Sequence, residues 1–218
     1  MLAVRWYISY SLSYRDVEEL LLERGFKVDH TTINRWVVRY SKQLEASFRK
    51  NHMKSKAYRS WRMDETYIKI KGKNHYLYRA VDKDGDTLEF MLSEKRDEES
   101  AFKFLKKAIG KHGLPECITI DKSGANESAI ILLNCMLYLM GLWPYYWVEY
   151  RQIKYLNNQI EQDHRAIKRR TRPMLGFKSF ESAQSTLAGY ELINMLKKGQ
   201  HKHCANQTIF EQFNSLAG

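Results

Sequence analysis

The chain has 218 residues with 36 basic and 25 acidic side chains, a formal net charge of +11 and a hydrophobic fraction of 44%. That balance excludes a disordered chain and describes a globular protein with a core of its own, while the positive excess points to a polyanionic partner, nucleic acid or an anionic membrane surface. Three widely spaced cysteines, Cys117, Cys135 and Cys204, form no CxxC pair, so neither a disulfide framework nor a zinc knuckle is expected and a reducing cytoplasm fits best.

The N-terminal stretch MLAVRWYISYSLSYRD carries an early arginine and no small-residue cleavage site, so no signal peptide is expected. Ser13 with Asp16 in the capping-box position opens a helix that carries Val17, Leu20 and Leu21 and ends at Gly25. Thr31 is the expected cap of the next helix, whose Ile33, Trp36, Val37, Tyr40 and Leu44 form an inward stripe. Its other face shows Thr32, Asn34, Arg35 and Arg39, and the pair reads as a helix-turn-helix over residues 1–50. The same basic residues are equally compatible with a merely solvated face. The polar, aperiodic stretch around residues 45–60 suits a linker, placed at 51–60.

Strand character follows. In MDETYIKI, Asp64, Thr66, Ile68 and Ile70 share one face at period two. The KGKN turn leads into HYLYRAVD, and DKDGD forms a turn before TLEFMLSE, giving an antiparallel meander. A calcium loop at Asp82, Asp84 and Asp86 is disfavoured, because Gly85 is misplaced for one and the closing glutamate is missing. A helix over 98–109 stops at Gly110, Gly113 and Pro115, and ECITID returns as a fourth strand. Residues 129–148 are nearly all apolar and long enough to span a bilayer. Asn134, Gly141 and Pro144 oppose a span, which would also separate Asp121 from Glu161 across a membrane. The preferred reading is a buried helix to Gly141 and then a buried strand, PYYWVEY. Trp61 and Trp143 read as core residues. The whole describes a mixed α/β sheet flanked by helices, occupying 61–200, with a C-terminal tail at 201–218.

Three acids stand out by setting. Asp64 lies in the first strand, Asp121 closes the fourth, and Glu161 sits in NNQIEQDHRAIKRR, a polar helix that turns basic. Converging carboxylates bind hard divalent cations. Two magnesium ions ~3.5–4 Å apart activate the incoming oxygen and stabilise the departing one in phosphodiester displacement. On this reading Asp64 bridges both ions, Asp121 joins it from the adjacent strand, and Glu161 closes the site. Glu161, Arg165 and Lys168 fall at i, i+4, i+7 with His164 beside them, and the basic run continues through Arg169, Arg170 and Arg172. Such a row suits a phosphate backbone, although an ordinary Glu161–Arg165 surface pair explains the spacing too. Glu65 and Asp163 remain alternative ligands, and HKHC at 201–204 is a candidate soft-metal site.

Three blocks, WRMDETYIKIKGKNHYLYRAVDKDG, ITIDKSGAN and RQIKYLNNQIEQDHRAIKRRTRPMLGFKSF, strongly resemble transposases of bacterial insertion sequence family six. The N-terminal SYRDVEELLLERGFKVDHTTINRWVVRY and the late LAGYEL and KKGQ look like the same family. The resemblance implies an integrase-type, ribonuclease-H-like catalytic core behind a helix-turn-helix. Its acidic triad falls on Asp64, Asp121 and Glu161, which lowers the claim of Glu65 and Asp163. It implies magnesium, for which manganese may substitute, and double-stranded DNA as partner, both as inverted-repeat ends and as target. It also implies a homo-oligomer that forms cointegrates, DNA-bound in the bacterial cytoplasm and not in a membrane. Thr31, Thr32, Asn34, Arg35 and Arg39 are then the expected end-binding residues, with Arg165, Lys168, Arg169 and Arg170 on the phosphate backbone. The interval from Asp121 to Glu161 exceeds the family pattern, the excess falling in the oily 129–148 segment. A catalytically decayed, DNA-binding remnant and a nuclease that cuts without joining are the rival readings.

Overall fold

The computed structural model describes residues 1–54, 59–122, 124–142 and 144–216, the side chains of 154–157 excepted. Trp143, Ser123 and part of the expected linker lie outside them. The chain folds as two compact units, Lys56–Arg165 and Met1–Ser55 with Ala166–Gly218.

The first of these is built on a five-stranded sheet. Strands β1 (Ser60–Ile70), β2 (Lys73–Asp82) and β3 (Thr87–Ser93) form the antiparallel meander; β4 (Cys117–Thr119) and β5 (Glu149–Arg151) add in parallel, giving the order β3-β2-β1-β4-β5. Between β1 and β2 the chain reverses through Lys71 and Gly72, both at positive φ (50° and 77°), the backbone a two-residue hairpin turn demands. At the next turn the Asp82 carboxylate accepts from the amides of Asp84 (2.9 Å) and Asp86 (2.8 Å), so this aspartate closes a hairpin.

Helix α4 (Glu98–His112) is capped by Asp97, carries Glu98 and Glu99 in its first turn and Lys111 and His112 in its last, and stops at Gly113. Each charge complements the helix dipole. Together with α5 (Gly124–Leu139) it covers one sheet face: Phe104, Leu105 and Ala108 of α4 and Ile130, Leu133 and Leu137 of α5 pack on Trp61, Met63, Tyr78 and Ala80. Trp61 is fully buried, as a core residue should be.

The oily segment departs from its expected form. Helix α5 ends at Leu139, Gly141 follows at φ 72°, and the expected buried strand over PYYWVEY shrinks to Glu149–Arg151. Tyr145 is 85% exposed, and Tyr146 and Trp147 are exposed beside it. The cause lies in the neighbouring elements. The partner edge, β4, offers three residues to pair with, and Asn134 pins only Val148, through bonds of 2.9 and 3.0 Å to its carbonyl and amide. Among the described residues no helix is long and apolar enough to cross a membrane.

The second unit is helical. Helix α1 (Leu2–Ser9) precedes α2 (Tyr14–Leu22), which opens on the full Ser13–Asp16 capping box. Helix α3 (His30–Ser47) buries Ile33, Val37, Ser41 and Leu44. Its cap is Asp29 rather than Thr31: the Asp29 carboxylate accepts from the Thr31 amide at 2.8 Å, which places Thr31 inside the first turn. The expected linker begins as structure, since a π-helix over Phe48–His52 continues α3. After α6 (Lys154–Thr171) and a 3-10 turn (Arg172–Met174), helix α7 (Phe180–Lys197) is buried on almost every side from Ala183 to Leu196 and packs along α3. A side chain in place of Gly189 would meet Ile8 and Ser41 at 2.8 Å, so glycine permits that approach. Residues 166–200, expected with the catalytic region, thus pack with the N-terminal helices. Nor is 201–218 a loose tail. His201 bridges Met53, the Lys202 amide donates to the His52 carbonyl at 2.8 Å, and α8 (Ile209–Ser215) opens on a Thr208–Glu211 capping box.

Candidate active site

Strand register sets the first two acids side by side. Arg62 of β1 pairs with Thr119 of the parallel β4. Asp64 stands two residues beyond that pair within β1, and Asp121 two residues beyond it, just past the end of β4. The third acid comes from α6, where Glu161 is exposed and lies one turn before the buried His164. The His164 Nδ1 stands 3.8 Å from Asp64 Oδ2, which brings this stretch of α6 over β1.

The acids act on one another's charge, although among the described residues the carboxylate oxygens of Asp64, Asp121 and Glu161 do not all come within 4.8 Å of one another. The Asp64 carboxyl is pushed up to about 7, first by burial, then by the charge of Glu65, with Asp121 and Glu161 adding to the same side; a bond from the Glu65 amide opposes them. That bond, amide to Asp64 Oδ1, measures 2.9 Å. Mutually repelling carboxylates around a largely buried aspartate fit a hard divalent cation, since all the donors are oxygen anions and a bound cation removes the repulsion.

The alternative ligands have other partners. Glu65 points to the opposite sheet face, where it accepts from Asn126 Nδ2 at 3.0 Å and pairs with Arg96. The same Arg96 reaches Asp121 Oδ2 at 3.2 Å. Asp163 pairs with the fully buried Arg79, the cross-strand neighbour of Asp64, at 2.5 Å. In the HKHC stretch His201 is buried and stacks on Phe48 and His52, its Nδ1 accepting from the His203 amide at 3.0 Å. Cys204 Sγ accepts from Lys54 at 2.8 Å, so both groups are engaged in packing the helical unit rather than in gathering a metal.

Of the expected DNA-facing residues, Thr31, Arg35 and Arg39 are exposed on α3, and Thr32 and Asn34 are half-buried. On α6, Arg165 and Arg169 are exposed and Lys168 is half-buried. Arg170 differs from that expectation. It is 8% exposed, stacks on the Tyr190 ring and donates weakly to the carbonyls of Tyr190 and Ser9, where it lines a cavity of about 540 Å³ beside Tyr7 and Asn34. Its charge is held inside the helical unit, not displayed on the basic row.

A family model described as a DDE domain, of the IS240 transposase type, matches residues 58–200. The transposase for insertion sequence-like element IS431mec of Staphylococcus aureus (strain N315) is 44% identical over 197 residues, covering 90% of this chain and 83% of that protein. The chain belongs to the DDE transposases of insertion sequence family six. The transposase for insertion sequence element IS257 in transposon Tn4003 of Staphylococcus aureus matches to the same extent, 44% over 197 residues. Among solved structures, the integrase catalytic core of HTLV-2 with magnesium aligns with a TM-score of 0.40 at 18% identity, over 72% of this chain and 81% of that one. A simian T-cell lymphotropic virus intasome aligns with a TM-score of 0.45 at 13% identity, over 81% and 64%. The transposase's sheet, three antiparallel strands followed by two parallel ones in the order β3-β2-β1-β4-β5, is the expected mixed α/β sheet flanked by helices.

Around the candidate acids stand Arg96, Asn126 and Arg79, none of which a local sequence signal singles out, and Asp163 serves as the partner of Arg79 rather than as a free ligand. A hint existed for Arg96, which follows the third strand in SEKRDEES, but nothing local links it to positions 65 and 121.

Proposed function

We propose that the transposase holds the inverted-repeat ends of its element and joins them to target DNA at Asp64, Asp121 and Glu161. The observation that carries this reading is geometric: β1 and β4 pair in parallel beside Asp64 and Asp121, and α6, which carries Glu161, meets Asp64 through His164 at 3.8 Å. These three carboxylates would hold two divalent ions, magnesium by the chemistry of the donor set, with manganese as a substitute. When bound, such ions activate the attacking oxygen and stabilise the leaving one in an in-line displacement. The chain's own part is placement. Strand β1 carries Asp64, Asp121 follows β4, α6 carries the glutamate, and His164 and Glu65 flank Asp64. Cleavage by water and attack by the freed 3′-hydroxyl are the same displacement, so one carboxylate site serves both, with no covalent protein–DNA bond.

On this reading Thr31, Thr32, Asn34, Arg35 and Arg39 of α3 meet the end sequence, its N-terminal residues reaching base edges as in helix-turn-helix proteins. Arg165, Lys168 and Arg169 hold phosphates. Two DNA ends must be held together for joining, so the working form is a homo-oligomer. The decayed-remnant reading is disfavoured by relatives that match along 90% of the chain and by a family match across residues 58–200. The test is a strand-transfer assay with end-repeat DNA and magnesium. Wild-type protein should join strands, and Asp121→Asn should bind the ends yet lose joining by about 10³-fold or more. Cleavage without joining by the wild type would support the nuclease reading, and full joining by Asp121→Asn would overturn the metal assignment.

A further inference from the structure

Four side chains from four parts of the fold form a chain of contacts ending on Asp121. Asn126, in the first turns of α5 and fully buried, donates to Glu65 Oε2 at 3.0 Å. Glu65 itself is 3% exposed and pairs through Oε1 with Arg96 Nε. Arg96, from the segment between β3 and α4, then donates from Nη2 to Asp121 Oδ2 at 3.2 Å. The guanidinium is thus used at both ends, one edge anchored on a buried acid and the other on a carboxylate of the catalytic site.

We infer that Arg96 is a positioning residue for Asp121, held in place by Glu65 and Asn126. The physical need is specific. Asp121 lies just past a three-residue strand and its side chain is 37% exposed, so a side-chain bond has more to contribute to its orientation than it would in a long, buried strand. A bond from Arg96 to Asp121 Oδ2 fixes the plane of that carboxylate. Arginine suits this role and lysine does not, because a planar fork spans two acceptors while an ammonium is a point charge on a flexible stem. Glu65, whose spacing made it a rival ligand, becomes the anchor of the positioning group. This assignment rests on Asp121 being a metal ligand.

The test compares Arg96→Lys, Glu65→Gln and Asp121→Asn with the wild type in the full-length protein. Binding of manganese is followed by calorimetry, and joining by strand transfer over a magnesium titration. Arg96→Lys keeps the charge and removes the two-ended bridge, so it isolates geometry from electrostatics. We expect its half-saturating manganese concentration to rise at least fivefold, and joining at saturating magnesium to fall at least tenfold, with end-DNA binding unchanged. Glu65→Gln should shift both in the same direction, and the double variant should be no worse than the poorer single one, since the two act as one unit. Manganese binding by Arg96→Lys as tight as wild type, or tighter, overturns the positioning role, as does strict additivity. If Asp121→Asn itself binds manganese and joins like wild type, the failure belongs to the metal assignment instead.

Discussion

Arg79 on β2 and Asp163 on α6 form a 2.5 Å ion pair in which the guanidinium is fully buried. Because Arg79 lies opposite Asp64 in the β1–β2 ladder, this pair ties α6 to the sheet two residues beyond Glu161. Breaking a buried pair from one side strands the other charge and costs about 3–5 kcal/mol. Asp163→Asn should therefore lower stability by that order in denaturant titration. It should also reduce joining beyond the loss of folded protein, because the helix that carries Glu161 loses its tether. Unchanged stability would mean that the pair does not hold α6.

The shift at Asp64 makes a prediction of opposite sign. Its carboxyl rises from an ordinary value of 3.8 to about 7, chiefly through burial. The contribution of a group with a raised value is complete below about pH 4 and is lost as pH rises through about 7, since the folded state holds a proton that the unfolded chain releases. Without divalent cations, Asp64→Asn should then be the more stable protein at pH 8, by an amount on the order of 2–4 kcal/mol. Its stability should fall less than the wild type's between pH 4 and 7. Magnesium should narrow the gap, because it stabilises only the protein that binds it. Thermal melts across pH, with and without magnesium, check this; a wild type more stable than Asp64→Asn at pH 8 without metal contradicts it.

Much of the candidate site is legible because its signals are local. An acid at a strand position, an acid closing a second apolar run and a glutamate at the head of a basic helix each announce themselves within a few residues. The Ser13–Asp16 capping box is local too, and it forms as read. What escaped depends on separation or on a neighbour's length. Arg96 meets Glu65 across 31 positions, and Asn126 meets it across 61, with no periodicity to link them. Asp29 and Thr31 are both good caps by residue type, and local pattern does not choose between them. The aromatics of PYYWVEY have strand character, but β4 is too short to pair with them. Helix α7 follows the catalytic motifs in sequence and packs with α3, a return that no local pattern records.

On α5 the two faces should behave differently although both are apolar. Leu133 is buried against the core and Leu139 is 81% exposed. Leu133→Ala should cost about 2–5 kcal/mol through reduced burial and a cavity. Leu139→Ala should stay within about 0.5 kcal/mol of wild type, as surface changes do. Paired urea titrations decide this, and equal losses would mean that the outer face is also packed.

The basic residues separate by burial. Arg35→Ala and Arg39→Ala remove exposed cations of α3, and each should weaken end-DNA binding about fivefold or more. Removing one phosphate-binding cation should also lower the slope of log affinity against log salt by about 1. Arg170→Ala should instead lower the melting temperature and leave the salt slope unchanged, since its guanidinium is buried against Tyr190. Fluorescence anisotropy across a salt series distinguishes the two classes, and a changed slope for Arg170→Ala would place that residue on DNA.

The meeting of Glu161 with Asp64 and Asp121 across the long oily segment is tested most directly by single-turnover joining of end DNA in magnesium by Glu161→Gln. This variant keeps the size of the side chain and removes its charge. The expected result is joining reduced about 10³-fold or more, with end-DNA binding and melting temperature close to wild type. Joining at the wild-type rate would show that Glu161 is an ordinary surface acid and that the three carboxylates do not form one site.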